Sequence, residues 1–291
     1  MSHVRERFRS VLARPTCTLA ANIFDPLSAR IAHMLGYDIC VLSGSVGKVA
    51  NLGVPDIVLS NMSDVVDQCR RITRIADVSL MVDAEDGFGN AVNAIRTVKE
   101  LEAAGVSAIE IEDNVVPKQF NVSHPGLVSA AEQVGKLKAA VAARTDPTTV
   151  IVARTSALAE CSLEEALDRI KAYADTGAEA LMLVGVQRGR LDLEAVHQAT
   201  SLPLCVLNPP PDVRNDPRFL AASGVRILML GNPVFAVAVK AIHDSLKYLQ
   251  EGGALEELRD RQASQDLLRA VNRADEFMQQ QREYMPTSPS L

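Results

Sequence analysis

Short apolar runs alternate with helix-like patterns along most of the chain. Between the runs, apolar residues recur every three or four positions, which is the spacing of an amphipathic helix. Several helical stretches end in glycine, as at Gly36, Gly105, Gly177 and Gly224, which is typical of a helix C-terminus. Eight runs have the length and composition of buried strands: residues 18–21, 39–42, 80–82, 108–111, 150–153, 180–184, 204–207 and 227–230.

The alternation of strand and helix predicts a mainly parallel sheet. Eight repeats favour a closed (β/α)₈ TIM-type barrel. A doubly wound open sheet is the alternative, but its first turn is normally rich in glycine, and residues 21–25 contain none. The predicted helices cover residues 26–35, 62–75, 91–104, 129–143, 163–176, 193–199 and 217–223, after an N-terminal helix that stops before residue 15.

A long helical tail is predicted at residues 255–284, where an apolar stripe runs through many charged residues. A solvated tail is possible, but an apolar stripe favours a helix that packs on a neighbouring subunit. We therefore expect one domain over residues 1–291, with a barrel at 15–250 and a C-terminal helical extension at 251–291 for subunit packing.

Charge and cysteine usage restrict the function. The net charge is -6 and the sequence pI about 5.5, with lysines and arginines scattered, so a nucleic-acid partner is not expected. The five cysteines form no Cys-x-x-Cys pair, which is typical of buried thiols in a reducing compartment. Neither a signal peptide nor an apolar run of about 18 residues is recognisable, so we expect a cytoplasmic protein without a membrane span.

Acidic residues follow two neighbouring predicted strands. Asp83, Glu85 and Asp86 follow the third strand, and Glu112 and Asp113 follow the fourth. Strand ends converge on one face of a barrel, so these carboxylates are expected to meet. Carboxylate oxygens suit Mg²⁺ or Mn²⁺, whereas the sequence has no His or Cys cluster of the kind that binds zinc. The acidic residues at 83–86 could instead cap the next helix.

Other polar residues fall on the same predicted face. Arg154 follows the fifth strand, and its planar guanidinium is suited to a substrate carboxylate. Lys118 lies in a loop and could equally be a solvated charge. The remaining candidates at this face are Ser43, Gly44, Ser45, Asp56, Thr155 and Asn208.

Five motifs in order resemble the phosphoenolpyruvate mutase / isocitrate lyase superfamily. They are Ser-Gly-Ser at 43–45, Gly-Val-Pro-Asp at 53–56, Asp-Ala-Glu-Asp-Gly-Phe-Gly-Asn at 83–90, Glu-Ile-Glu-Asp at 110–113 and Ala-Arg-Thr at 153–155. The resemblance covers about residues 10–250. It implies a (β/α)₈ barrel that binds Mg²⁺ and a 2-oxo acid and stabilises an enolate. It also implies a homotetramer, a dimer of dimers with swapped C-terminal helices.

The resemblance assigns roles at the metal. It makes Asp83 the direct Mg²⁺ ligand, with Glu85 and Glu112 holding metal-bound waters and Asp56 orienting one of them. The family usually has Asp where Glu85 stands, and the longer side chain could displace a water or reach the metal. Residues 43–45 would bind the carboxylate and oxo oxygens of the substrate, and Arg154 its carboxylate.

Departures from the family pattern narrow the reaction. In lyases of the family, a cysteine on a mobile loop acts as the general acid. Phe120 stands at the corresponding position here, and its side chain cannot donate a proton. The stretch 183–186 and the Gln119–Phe120 pair resemble the oxaloacetate decarboxylase branch. That branch has a histidine where Asn232 stands, and an amide can hydrogen-bond a substrate but cannot relay a proton.

The sequence therefore predicts Mg²⁺-dependent decarboxylation of a 2-oxo diacid, oxaloacetate to pyruvate and CO₂, through a metal-stabilised enolate. Lys118 is assigned to binding the remote carboxylate or to supplying the proton. One alternative is a carbon–carbon lyase of retro-aldol or Claisen type acting on a related diacid. Another is a barrel that binds a 2-oxo acid without turnover.

Overall fold

The computed structural model describes residues 2–118, 120–122 and 126–285. Its strands are β1 (Thr18–Leu19), β2 (Ala21–Ile23), β3 (Ile39–Leu42), β4 (Ser79–Asp83), β5 (Ala108–Glu112), β6 (Val150–Thr155), β7 (Ala180–Leu183), β8 (Leu204–Leu207) and β9 (Val225–Met229). Its helices are α1 (Ser2–Ala13), α2 (Pro26–Met34), α3 (Gly44–Leu52), α4 (Met62–Thr73), α5 (Ala91–Ala103), α6 (Ala130–Ala143), α7 (Ala157–Glu160), α8 (Leu163–Ala174), α9 (Arg190–Ala199), α10 (Pro211–Arg214), α11 (Pro217–Ala222), α12 (Pro233–Gln250), α13 (Gln265–Asn272) and α14 (Ala274–Tyr284).

All the strands pair in parallel, in the order β1-β9-β8-β7-β6-β5-β4-β3-β2. β1 pairs with β9 and β2 pairs with β3, and only Ala20 separates β1 from β2. The Ala20 N–H donates to Leu228 O at 3.0 Å, which continues the ladder across this junction. β1 and β2 are thus two halves of the first strand, and the predicted (β/α)₈ barrel is confirmed.

The barrel has an apolar interior below its strand ends. Alternate residues of the strands point inward. They include Val41, Met81, Val150, Met182 and Ile227, and Phe8, Val11 and Leu12 of α1 belong to the same buried cluster. α1 therefore packs over the barrel interior. The opposite strand faces pack against the surrounding helices in a second, larger cluster.

The structure adds helices that the sequence pattern did not indicate. α3 begins directly after Ser43, where no helix was predicted, and α7 and α10 are single turns between strands and longer helices. α3 was missed because two of its nine residues are glycines and its apolar positions are few. Its presence matters, because it places the start of a helix at the barrel mouth.

The chain divides into two compact units at residue 233. In the C-terminal unit, a 3-10 helix (Leu255–Arg261) precedes α13 and α14. The helical tail expected at 255–284 is divided into three helical segments, and Arg273 takes a left-handed conformation, with φ of 56°, between α13 and α14. α12 exposes several large apolar side chains, including Val237, Ile242 and Leu246. Subunit packing by this unit, and the boundaries 15–250 and 251–291, stay predictions.

Among the described residues, the helices lack the length and apolar character needed to cross a membrane.

Candidate active site

Acidic side chains from two adjacent strands meet at the barrel mouth. Asp83 ends β4, and Glu110 and Glu112 lie on β5, with Asp83 paired to Glu110 in the sheet register. Residues two apart on a strand share one face, so both glutamates point into the barrel. Arg154 of β6 is paired to Glu112. Parallel register therefore brings three carboxylates and one guanidinium into one cluster, as the sequence predicted for Asp83, Glu112 and Arg154.

Arg154 is the centre of this cluster. Its Nη1 donates to Asp83 Oδ2 at 2.8 Å and to Glu110 Oε1 at 2.6 Å, and its Nε lies 3.1 Å from Glu112 Oε2. Three carboxylates around one guanidinium leave a net negative charge. The arrangement is thus able to attract a cation.

A buried lysine forms ion pairs with two further acidic residues, Glu85 and Asp56. Lys48 of α3 is ion-paired with Glu85, and its Nζ lies 2.6 Å from Asp56 Oδ1. The Lys48 side chain is only 2% exposed, whereas that of Asp56 is 56% exposed. Glu85 has a left-handed φ of 52°, and its N–H donates to Asp83 Oδ1 at 2.9 Å. The ion pair with Lys48 keeps Glu85 beside Asp83.

Gly44 is packed against both carboxylates. It is the first residue of α3, and its N–H donates to Asp83 Oδ2 at 3.2 Å. A Cβ at this position would lie 2.7 Å from Glu85 Oε1 and 3.0 Å from Asp83 Oδ2. Only glycine lets the helix start approach the carboxylates this closely.

Neutral polar side chains form a wall beside the carboxylates. Asn232 Nδ2 lies 3.3 Å from Ser43 Oγ and 3.1 Å from Ser45 Oγ, and the two hydroxyl oxygens are 3.0 Å apart. Asn22 Nδ2 in turn donates to Asn232 Oδ1 at 3.2 Å. The amide of Asn232 is therefore fixed between the first strand and the Ser-Gly-Ser turn.

The wall and the carboxylates enclose a cavity of about 170 Å³. This volume suits a small metabolite and would not admit a polymer. Its lining residues are Asn22, Val41, Ser43, Ser45, Asp56, Asp83, Glu110, Arg154, Met182, Leu207, Met229, Gly231 and Asn232. Polar and apolar side chains thus both line the cavity.

The pKa values of the carboxyl groups in the cluster differ, because burial and neighbouring charges act differently on each group. Burial, followed by the charge of Asp83, raises the pKa of Glu85 to about 8. Burial raises the pKa of Glu110 to about 7, and it also raises that of Glu112. Burial would raise the pKa of Asp83 too, but Arg154 and backbone N–H donors hold it below its ordinary value. Asp83 is therefore the most firmly ionised carboxylate of the cluster.

Not every residue predicted for the site lines the cavity. Residues 43–45, Asp56, Asp83, Glu85, Glu112, Arg154 and Asn232 come together as described. Asn208 is exposed, and its Oδ1 accepts from Arg214 Nη1 at 3.5 Å. Lys118 is exposed on the loop after β5 and does not line the cavity, and Gln119 lies outside the described residues.

Three polar residues of the described site were not predicted: Asn22, Lys48 and Glu110. Glu110 could have been found, because strand alternation places it on the same face as Glu112. Lys48 is four residues after Gly44, which is one helical turn, but α3 itself was not predicted. Asn22 follows the break in the first strand, which carries no clear sequence signal.

The donor set fits a hard divalent cation. Within the described ranges, no three His, Cys, Asp or Glu side chains are already arranged to hold a metal ion. Mg²⁺ needs fewer protein ligands, because it usually keeps several waters and binds through one or two carboxylates. Asp83, with its lowered pKa, supplies such a ligand, and Glu85 and Glu112 lie beside it.

The fold and site define a TIM-barrel protein with an acidic, small-molecule site at its strand ends. The chain belongs to the phosphoenolpyruvate phosphomutase family, whose model matches residues 8–250. It is 41% identical over 271 residues to an oxaloacetate decarboxylase of Bradyrhizobium diazoefficiens, with 93% of each chain covered.

Solved structures agree with this assignment. A phosphonopyruvate hydrolase in complex with oxalate and Mg²⁺ superposes with a TM-score of 0.86 at 29% identity, covering 97% of this chain and 99% of that one. An oxaloacetate acetylhydrolase in complex with the inhibitor 3,3-difluorooxalacetate gives a TM-score of 0.85 at 25% identity, covering 98% of both chains. The expected superfamily is thus confirmed.

Proposed function

We propose that this protein catalyses the Mg²⁺-dependent decarboxylation of oxaloacetate to pyruvate and CO₂. One arrangement carries the proposal: an ionised Asp83 and the hydroxyls of Ser43 and Ser45 line the same cavity of about 170 Å³. The oxaloacetate decarboxylase of Bradyrhizobium, at 41% identity, supports the reaction, and the hydrolase bound to oxalate and Mg²⁺ supports the metal.

Asp83 is the proposed direct ligand of Mg²⁺, or of Mn²⁺ in its place. Glu85 and Glu112 would accept hydrogen bonds from metal-bound waters, and Asp56 would orient one of these waters. A bound Mg²⁺ would supply the positive charge that stabilises the enolate left when CO₂ departs. Gly44 allows this site to form, because its N–H reaches Asp83 without a side chain in between.

The wall of neutral polar groups, which contains Ser43 and Ser45, is suited to an anionic oxygen of the substrate. Asn232 Nδ2 donates to both serine oxygens, so each hydroxyl keeps its hydrogen for donation. One hydroxyl donates to the other, and the remaining hydrogen is free to point into the cavity. Ser43 and Ser45, with the Gly44 backbone between them, would thus bind carboxylate or oxo oxygens, and Asn232 would fix their orientation.

Arg154 is the proposed partner of a substrate carboxylate, because it is the guanidinium that lines the cavity. Lys118 would bind the remote carboxylate or supply the proton, and Asn208 would contact the substrate. Both residues are exposed in this conformation, so these roles require the loops after β5 and β8 to move towards the cavity.

Decarboxylation is favoured over the carbon–carbon lyase by the loop after β5. A retro-aldol cleavage needs an acid or base for the leaving fragment, whereas CO₂ leaves without a proton. In the described part of this loop, Phe120 is 93% exposed, and no carboxyl or thiol of the loop lines the cavity. A binding protein without turnover is disfavoured, since the whole carboxylate cluster is intact.

The test is pyruvate formation from oxaloacetate with Mg²⁺, measured above the rate of free metal in the same buffer. We expect a rate that EDTA abolishes and that Asp83→Ala removes. A Lys118→Ala variant should lower kcat or raise KM if Lys118 has the proposed role. No rate above the metal-only background would refute the proposal. Release of oxalate instead of pyruvate would identify the hydrolytic reaction of the acetylhydrolase relative.

We further propose that residues 251–291 mediate assembly into a homotetramer with swapped C-terminal helices, and that the enzyme is cytoplasmic. The exposed apolar side chains of α13 and α14, Leu267, Leu268 and Phe277, support a protein partner for this unit. Light scattering after size exclusion would test the assembly, and a monomeric mass would contradict it.

A further inference from the structure

Glu110 is a carboxylate inside the cavity that none of the roles above requires. It lies on the inward face of β5, two residues before Glu112, and is only 3% exposed. Met182 and Met229 line the cavity with it. A carboxylate in such surroundings is costly unless it is paired. Its partner is Arg154, whose Nη1 lies 2.6 Å from Glu110 Oε1.

Arg154 contacts the same carboxylates that the metal would need. Its Nη1 is shared between Glu110 and Asp83, and its Nε faces Glu112. A guanidinium without another partner would compete with a divalent cation for Asp83 and Glu112. Glu110 offers Arg154 a partner that lies deeper in the barrel than the proposed ligands.

The formal charges are consistent with a pairing of Arg154 with Glu110 that leaves Asp83 and Glu112 to a cation. Arg154 and Glu110 together are neutral. The other buried charged groups beside the proposed metal position are three carboxylates and one ammonium, from Asp83, Glu85, Glu112 and Lys48. With all four groups charged, their sum is minus two, which is equal and opposite to one Mg²⁺. Asp56 is half-exposed and is therefore screened by water.

We propose that Glu110 is a positioning residue that binds Arg154 and thereby releases Asp83 and Glu112 to a divalent cation. The inference deepens the proposed function and rests on its metal site. In this arrangement Arg154 keeps one fixed partner in the barrel and has its remaining N–H groups available for a substrate carboxylate.

The experiment measures Mn²⁺ binding to metal-free protein by electron paramagnetic resonance at pH 8.5, with no substrate present. Four proteins form a double-mutant cycle: wild type, Glu110→Gln, Arg154→Met and the double variant. We expect Glu110→Gln to weaken binding by about tenfold in the wild-type background and by less than about threefold when Arg154 is absent. Arg154→Met alone should bind Mn²⁺ more tightly than wild type. Glu110→Asp, which keeps the charge, should recover part of the affinity.

Asp192→Asn is the matched control, because Asp192 is a buried carboxylate paired with Arg188 outside the cavity. It should leave Mn²⁺ affinity unchanged. Equal effects of Glu110→Gln with and without Arg154 would overturn the inference. If Glu110→Gln does not fold, weaker Mn²⁺ binding by Arg154→Met would overturn it instead. Failure of wild type to bind Mn²⁺, or binding unaffected by Asp83→Asn, would count against the proposed metal site itself.

Discussion

Gly44→Ala tests how closely the start of α3 must approach the carboxylate pair. The added Cβ would lie 2.7 Å from Glu85 Oε1, which must retreat by about 0.7 Å to reach an ordinary contact of 3.4 Å. Asp83 Oδ2, at 3.0 Å, must also move. Neither carboxylate is free to do so, because Lys48 holds Glu85 and Arg154 holds Asp83.

The expected cost falls on catalysis. A displacement of the proposed metal ligand by a large part of an ångström should lower kcat/KM on the order of 10²-fold. Stability should also fall by about 1–3 kcal/mol, because the added Cβ overpacks against two carboxylates that are held in place. The assay combines kcat/KM for oxaloacetate, Mn²⁺ affinity and the thermal midpoint.

Gly47→Ala is the matched control in the same helix. Its added Cβ would meet Gln68 Oε1 at 3.2 Å, which is only about 0.2 Å short of an ordinary contact, and Gln68 does not line the cavity. We expect nearly wild-type activity from this variant. Wild-type kcat/KM and Mn²⁺ affinity in Gly44→Ala would refute the reasoning, as would equal losses of activity in both glycine variants.

Three further predictions concern stability. Tyr173→Phe removes the buried hydroxyl that donates to Asp113 Oδ2 at 2.8 Å. The free energy of unfolding, measured with urea, should therefore fall by about 1–3 kcal/mol. The folded-state pKa values of Glu85 and Glu110 are raised to about 8 and about 7, so the metal-free folded protein binds more protons than the unfolded chain. Its stability should therefore fall as the pH rises from about 4.5 to 8. Oxalate with Mg²⁺ at one hundred times its Kd should stabilise the protein by about 2.7 kcal/mol, seen as a higher thermal midpoint.

Each of these predictions has a control. Tyr37→Phe also removes a phenolic hydroxyl, from a half-buried tyrosine, and should cost less than Tyr173→Phe; equal losses would contradict the assigned hydrogen bond. Glu85→Gln should flatten the pH dependence of the metal-free protein, and a profile identical to wild type would show that other groups dominate. In Asp83→Ala, oxalate with Mg²⁺ should cause no shift; the same shift as in wild type would locate the ligand elsewhere.

The barrel and much of its site were predictable from the sequence because both depend on local pattern. Apolar runs define strands, parallel strands end on one face, and the acidic residues after β4 and β5 must then meet. This reasoning found Asp83, Glu112 and Arg154, which the structure joins through direct ion pairs.

The other features of the site depend on contacts between distant parts of the chain, which a local sequence pattern does not predict. Lys48 is buried only because Glu85 and Asp56 approach it from other parts of the chain. Helix α3, which carries it, has two glycines and a weak apolar pattern. Asn208 follows β8 as predicted, yet its left-handed φ of 47° accompanies a side chain that lies outside the cavity. Strand-end position therefore predicts proximity to the mouth and does not fix side-chain direction.

The pairing of β1 with β9 imposes an order on biosynthesis. Thr18 pairs with Ile227, so a ribosome must deliver about two hundred further residues before the first strand acquires this neighbour. Until then, the nascent sheet has open edges at β1 and β8, and such edges invite pairing with other chains. A message truncated before β9 would leave those edges open permanently and yield aggregating fragments. Among the described residues of the finished chain, β9 pairs with both β1 and β8 and so closes these two edges.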